Sequence, residues 1–232
     1  MGKINILAFG AHPDDVELGA GGILAKHSKA GFTTAICDLT YADLSSNGTV
    51  ENRQLEAKRA ADALGLTARY CLGFPDRGLT GSKEQLLKIT QLIRQLQPTV
   101  ILSPYFRDRH PDHVACSQLV REAVFDAGIR KIVTPGNEPI HRVKKVYHYF
   151  INDLAEADVI VDIGDVYEQK IAAFEAYQSQ FGQQENSVQT PLNTPNFFGM
   201  VEGRDRLWGQ QIGVTYGEAL ASPREIALDY LL

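Results

Sequence analysis

The chain has 232 residues, with 23 Lys and Arg against 28 Asp and Glu and a formal net charge of −5 at neutral pH. That length fits one α/β domain, and 44% hydrophobic content is enough for a real core. The acidic balance gives no electrostatic basis for partnering nucleic acid or an anionic membrane. Three cysteines without a C-x-x-C pair suggest neither a disulfide framework nor a thiolate metal site. No apolar run approaches the roughly 18 residues of a membrane span. The N-terminus enters a strand directly, without a basic leader region, so a cytoplasmic protein is expected.

Strand-like and helix-like segments alternate along the chain. Ile4 to Phe9 reads as a buried strand, and Val16 to Ala30 as a helix closed by Gly31. Thr33 to Leu39 is a second strand, followed by a polar loop through Ser45, Ser46, Asn47 and Gly48. Glu51 to Leu64 carries Leu55, Ala57, Ala60, Ala61 and Leu64 at helical spacing and stops at Gly65. A strand over Ala68 to Leu72, a helix over Glu84 to Leu96, a strand over Thr99 to Leu102 and a helix over Val114 to Ala127 follow. Strands over Lys145 to Ile151 and Val159 to Asp162 precede a helix from Tyr167 to Gln180. From 182 to 217 the periodicity fails around Pro191 and Pro195, so that span is expected to be irregular and to serve as a lid or an oligomer contact. The alternation predicts a single α/β domain over 1–232, with a Rossmann-like, doubly wound, mostly parallel sheet and helices on both faces.

Two short runs carry the chemistry. Ala11-His12-Pro13-Asp14-Asp15 follows the first strand, and His110-Pro111-Asp112-His113 follows the fourth. In a doubly wound sheet of order 3-2-1-4, strands one and four are neighbours, and ligands bind at the switch point beyond their C-terminal ends. The two runs should therefore meet, although about 100 residues separate them. Imidazole is the commonest zinc ligand and carboxylate a frequent third, so two His and one Asp would leave a position open for water. A dinucleotide would need G-x-G-x-x-G at the first turn; Asp14 and Asp15 there would repel a pyrophosphate.

With A-H-P-D-D-x-E complete over Ala11 to Glu17 and H-P-D-H over His110 to His113, the chain resembles the PIG-L/LmbE-like family of zinc-dependent N-acetylglucosamine deacetylases. Arg53, Glu56 and Leu64-Gly65 match a third family feature, on the helix after strand two. Leu72-Gly73-Phe74-Pro75-Asp76 and the segment from Trp208 through Tyr216 resemble the subgroup that deacetylates N-acetylglucosaminyl-malate in bacillithiol biosynthesis, from which Tyr41-Ala42-Asp43-Leu44 departs. The resemblance implies one zinc per chain on His12, Asp15 and His113, and Asp14 as the base that takes a proton from the zinc-activated water. It also implies that His110 assists the oxyanion or the leaving amine, with Asp112 holding and charging it. Arg53 is expected to bind substrate, and Arg109 is a further substrate contact suggested by its place in the loop. The expected partner is a small sugar conjugate, and homo-oligomers, often hexamers, are implied by the family. Alternatives are other N-acetylglucosamine derivatives, such as chito-oligosaccharides or thiol conjugates, or a non-catalytic metal- or sugar-binding module. Cys116, one helical turn beyond His113, is expected to pack in the core.

Overall fold

Alternation along the first strand sets the layers. A computed structural model describes residues 2–182 and 187–226 of the chain. In β1 (Ile6–Gly10), Ile6 and Ala8 face one hydrophobic cluster, while Leu7 and Phe9 face another. That is the period of two of a strand buried on both faces. The first face is covered by α1 (Asp15–Lys29), α2 (Val50–Ala63) and α5 (Tyr167–Glu175). The second is covered by α3 (Lys83–Leu96) and α4 (Pro111–Ala127).

The other strands are β2 (Thr34–Thr40), β3 (Ala68–Phe74), β4 (Val100–Pro104), β5 (Lys145–Tyr149), β6 (Val159–Asp162) and β7 (Gly217–Ala221). They join β1 in one seven-stranded sheet of order β3-β2-β1-β4-β5-β7-β6. The first five in that order are parallel; β7 runs antiparallel between β5 and β6. The fold is thus the expected doubly wound α/β sheet, with β1 and β4 adjacent at the switch point. Among the described residues no helix is long and apolar enough to cross a membrane.

Two expectations change. The helix expected over Tyr167 to Gln180 is divided into α5 and α6 (Gln178–Phe181), because Tyr177 leaves helical geometry at φ −89°, ψ 60° and buries its ring. The span 182–217 is not irregular throughout: it contains α7 (Phe197–Gln211) and leads into β7, while its residues 183–186 lie outside the described ones. Three glycines, Gly199, Gly203 and Gly209, dilute the helical signal of α7. Moreover, α7 docks partly through charge. Lys170, fully buried, pairs with Asp205 of α7 and lies 2.9 Å from Glu218 of β7. The Glu218 carboxylate in turn accepts the Gly22 and Ile23 backbone N–H groups of α1 at 3.0 and 2.6 Å. A pattern that looks only for apolar faces cannot register the ionic part of this docking.

Candidate metal and catalytic site

Both motif runs leave adjacent strands and open helices. Ala11 O accepts from both the backbone N–H and the hydroxyl of Thr40, which ties the first run to the end of β2. Asp14 then sits at φ 113°, in the left-handed region that non-glycine residues rarely occupy. This conformation turns two adjacent carboxylates in different directions. Asp15 faces the histidines: its Oδ2 accepts the His12 backbone N–H at 2.8 Å and lies 3.5 Å from His12 Nδ1, and its Oδ1 lies 3.1 Å from His113 Nε2. Asp14 faces α2, where Oδ2 accepts from Arg53 Nη2 at 2.8 Å; Oδ1 has no hydrogen-bond partner among the described residues.

His12, Asp15 and His113 therefore stand in one contact chain with Asp15 at its centre. His110 joins it, its ring stacked on His113 at 4.7 Å and edge-on to His12 at 4.9 Å between centroids. Donor atoms of His12, His110 and His113 lie within 4.8 Å of one another, as do those of His12, Asp76 and Asp112. Nitrogen and carboxylate donors at this spacing suit a borderline divalent ion such as zinc. The histidine tautomers fit as well. His113 Nδ1 lies 3.0 Å from Asp108, and His12 Nε2 lies 3.2 Å from Asp76. Each ring thus turns one nitrogen to an outer carboxylate and the other to the Asp15 side, so that loss of the inner proton would leave a lone pair there for a metal.

Two expected roles meet different geometry. Arg53, expected to bind substrate, is instead buried. It donates from Nε and Nη2 to Pro13 O at 3.0 and 2.6 Å, from Nη2 to Asp14 and from Nη1 to Ser45. Its site on the inner face of α2 directs the guanidinium under the motif loop, where it holds Asp14. Asp112, expected to hold His110, instead accepts the Arg77 backbone N–H at 2.7 Å and Arg77 Nη1 at 2.9 Å. Burial opposes its charge, but these contacts, with His12 nearby at 3.6 Å, outweigh burial and hold the carboxyl near 2. The reason is helix capping: His110 is the N-cap of α4, and its Nδ1 accepts the Asp112 backbone N–H at 3.2 Å. His110 accepts at Nδ1, which leaves Nε2 as its donor nitrogen, and burial followed by the charges of His113 and His12 lowers its basicity. Arg109 is exposed in the loop after β4 and has no ion-pair partner among the described residues. Cys116 packs in the core beneath the site.

The sequence reasoning missed Asp76, Arg77, Asp108 and Asn152. Asp108, two residues before the second motif, accepts from the His110 N–H at 2.8 Å and from both the backbone and the side chain of Asn152. Its proximity in sequence to the motif is the one available signal. Asp76 ends the Leu72-Gly73-Phe74-Pro75-Asp76 segment of the subgroup resemblance, which marks the residue but not its role, and nothing local marks Asn152.

Beneath Asp15 lies a buried ionic cluster. Glu17, the last residue of the first motif, accepts from Arg69 and from Tyr177 Oη, and Arg69 also grips Asp38 in a fork at 2.7 and 2.9 Å. Burial pushes Asp38 up to about 6 although Arg69 pulls it down. Arg69→Met should cost about 3–5 kcal/mol, because two buried carboxylates lose their cation. Urea unfolding measures this, and a loss below about 1 kcal/mol would show that the cluster contributes little.

The metal-free site holds protons. Burial disfavours charge on His113, but Asp15 and Asp108 outweigh it and raise the ring to about 9. His12 is raised in the same way, against its own burial, by Asp112, Asp15 and Asp76. A raised histidine stabilises the metal-free fold below its unfolded value of about 6.5 and loses that contribution as pH rises through about 9. A metal needs the neutral ring, so its affinity changes the opposite way. Zinc affinity should rise about tenfold per pH unit, for each proton displaced, between pH 6 and 8. Calorimetric titration in two buffers of different ionisation heat should show at least one proton released per zinc at pH 7; no release would contradict the protonated site.

Comparison with known proteins gives a consistent result. The family model described as PIG-L, GlcNAc-PI de-N-acetylase, matches residues 7–124. A diacetylchitobiose deacetylase of Thermococcus kodakarensis is 31% identical over 190 residues, 76% of this chain and 70% of its own. A probable N-acetyl-α-D-glucosaminyl L-malate deacetylase 2 of Bacillus cereus is 26% identical over 189 residues, 76% of this chain and 83% of its own. The crystal structure of a conserved protein from Thermus thermophilus superposes with a TM-score of 0.89 at 38% identity, covering 99% of both chains.

Proposed function

This chain belongs to the PIG-L family, GlcNAc-PI de-N-acetylase, and on that premise we propose that it is a metal-dependent enzyme removing acetyl from an N-acetylglucosamine derivative. The observation that carries this reading is the meeting of the two motif loops, which sets Asp15 between His12 and His113 with Asp14 and His110 alongside. A deacetylase needs a base, a donor for the developing oxyanion and a proton for the departing amine.

His12, Asp15 and His113 would hold the metal. When bound, it would polarise the acetyl carbonyl and lower the pKa of a water, as a Lewis acid does. Asp14 takes the proton of the attacking water at its free oxygen, Oδ1, and passes it to the nitrogen of the departing amine as the C–N bond breaks, while Arg53 fixes the other oxygen. Burial pushes Asp14 up to about 7 although Arg53 pulls it down, which suits a base working near neutrality. His110 donates from Nε2 to the carbonyl oxygen as charge develops, and its capped Nδ1 keeps that tautomer in place. Arg77 and Asp112 brace the loop beside His12.

The conjugate is a finer matter. Arg109 favours an anionic aglycone such as L-malate, and the Bacillus cereus relative carries that substrate in its name. The burial of Arg53 leaves Arg109 without the second guanidinium expected for a dicarboxylate, and the Thermococcus kodakarensis relative is named for a neutral disaccharide. The test is kcat/KM for N-acetylglucosaminyl-malate against diacetylchitobiose, in wild type and in Arg109→Ala. A malate enzyme should favour the malate conjugate by at least about tenfold and lose most of that preference in the variant, as expected of one charge-assisted contact. Equal efficiency in the wild type would assign it to neutral saccharides.

A further inference from the structure

The two imidazoles at the site are supported in the same way from opposite sides. His113 directs Nε2 at Asp15 and Nδ1 at Asp108 Oδ1, 3.0 Å away. His12 directs Nδ1 at Asp15 and Nε2 at Asp76 Oδ1, 3.2 Å away. The two rings use opposite nitrogens, yet each ends on a carboxylate outside the Asp14-Asp15 pair. We propose that Asp76 and Asp108 are positioning residues that fix the tautomers of His12 and His113, and so set how tightly the site holds its metal. The proposal rests on the reading of His12, Asp15 and His113 as ligands.

Both carboxylates are themselves held by other loops. Asp76 Oδ2 accepts the Leu44 backbone N–H at 3.2 Å, and the Asp76 N–H donates to Asp43 at 3.1 Å. Asp108 accepts from Asn152 Nδ2 at 2.9 Å and from its backbone N–H at 3.1 Å. Asp43 and Leu44 follow β2, Asp76 follows β3, Asp108 follows β4 and Asn152 follows β5. The loops at the C-terminal ends of all five parallel strands are thereby tied to the two rings. A neutral imidazole has one N–H and one lone pair, and a carboxylate that accepts the N–H leaves the lone pair on the far side and makes it more basic. The loop after β2 contains the Tyr41-Ala42-Asp43-Leu44 departure from the subgroup pattern, so that same departure also bears on metal affinity.

The experiment titrates zinc into metal-free protein against a chromophoric chelator, with thermal unfolding of each metal-free variant as the check on folding. Asp76→Ala and Asp108→Ala should each weaken zinc binding by about 10- to 100-fold, as loss of an outer partner does. Asp76→Asn and Asp108→Asn keep an acceptor oxygen for the ring N–H and should recover part of that loss, which a purely structural defect would not grant. The double asparagine variant should multiply the two single effects, since each acts on a different ring. Zinc affinity within about threefold of wild type in all four folded single variants would overturn the proposal while leaving the deacetylase reading intact. A wild-type protein that binds no zinc, or a His113→Ala variant that binds it fully, would overturn both.

Discussion

Asp14→Asn should lower kcat by about two to four orders of magnitude while the protein keeps its metal, the cost expected when a general base is lost. Asparagine preserves the shape of the side chain and an oxygen for Arg53, so the loop strained at φ 113° keeps its anchor. What disappears is the ability to accept a proton at Oδ1. The pH profile supplies a second readout. Activity needs ionised Asp14, so kcat/KM in the wild type should rise with pH along an acid limb that burial raises and Arg53, together with the bound cation, lowers. That acid limb should be absent from the residual activity of the variant. Normal turnover in Asp14→Asn would remove Asp14 from the chemistry. Asp15→Ala, one residue further on, should instead weaken the metal itself, because its carboxylate faces both histidines.

His113→Ala should abolish metal binding and turnover together. The ring lies between Asp15 Oδ1 at 3.1 Å and Asp108 Oδ1 at 3.0 Å, so its removal takes away a donor and leaves two carboxylates facing an empty space. Zinc affinity should fall by more than about a hundredfold, beyond what the loss of an outer partner alone produces. Metal content after dialysis, measured by elemental analysis, decides the matter. Full occupancy in this variant would show that the ion is held by another set, such as His12, Asp76 and Asp112.

How far the sequence reveals this site depends on what kind of interaction holds each residue. The alternation of strands and helices places β1 beside β4, because burial on both faces of a parallel sheet leaves continuous apolar strands that are easy to read. Given that topology, the meeting of His12 and Asp15 with His110 and His113 follows from chain order alone. The partners of those residues do not. Whether Arg53 points out to substrate or in towards Pro13 O depends on which face of α2 packs down, and the nearby Glu56 and Ala57 are buried too. Proximity in sequence pairs Asp112 with His110. The helix start instead gives His110 Nδ1 to the Asp112 backbone and leaves the Asp112 side chain to Arg77, a residue 35 positions away. Asp76 and Asn152 reach the site only because every parallel strand ends there. The second half of the chain is the least legible, since the apolar face of α7 formed by Phe197, Val201 and Trp208 is broken by the buried Asp205, which pairs with Lys170, and the helix is interrupted by glycines.

The most direct measurement is acetate release from diacetylchitobiose and from N-acetylglucosaminyl-malate by the zinc-loaded protein, by the protein after removal of metal with a chelator, and after zinc is restored. Release from at least one substrate, lost with the metal and regained with zinc, is the predicted result. Acetate release that persists at full rate in the metal-free protein, or none from either substrate at full zinc occupancy, would contradict the account.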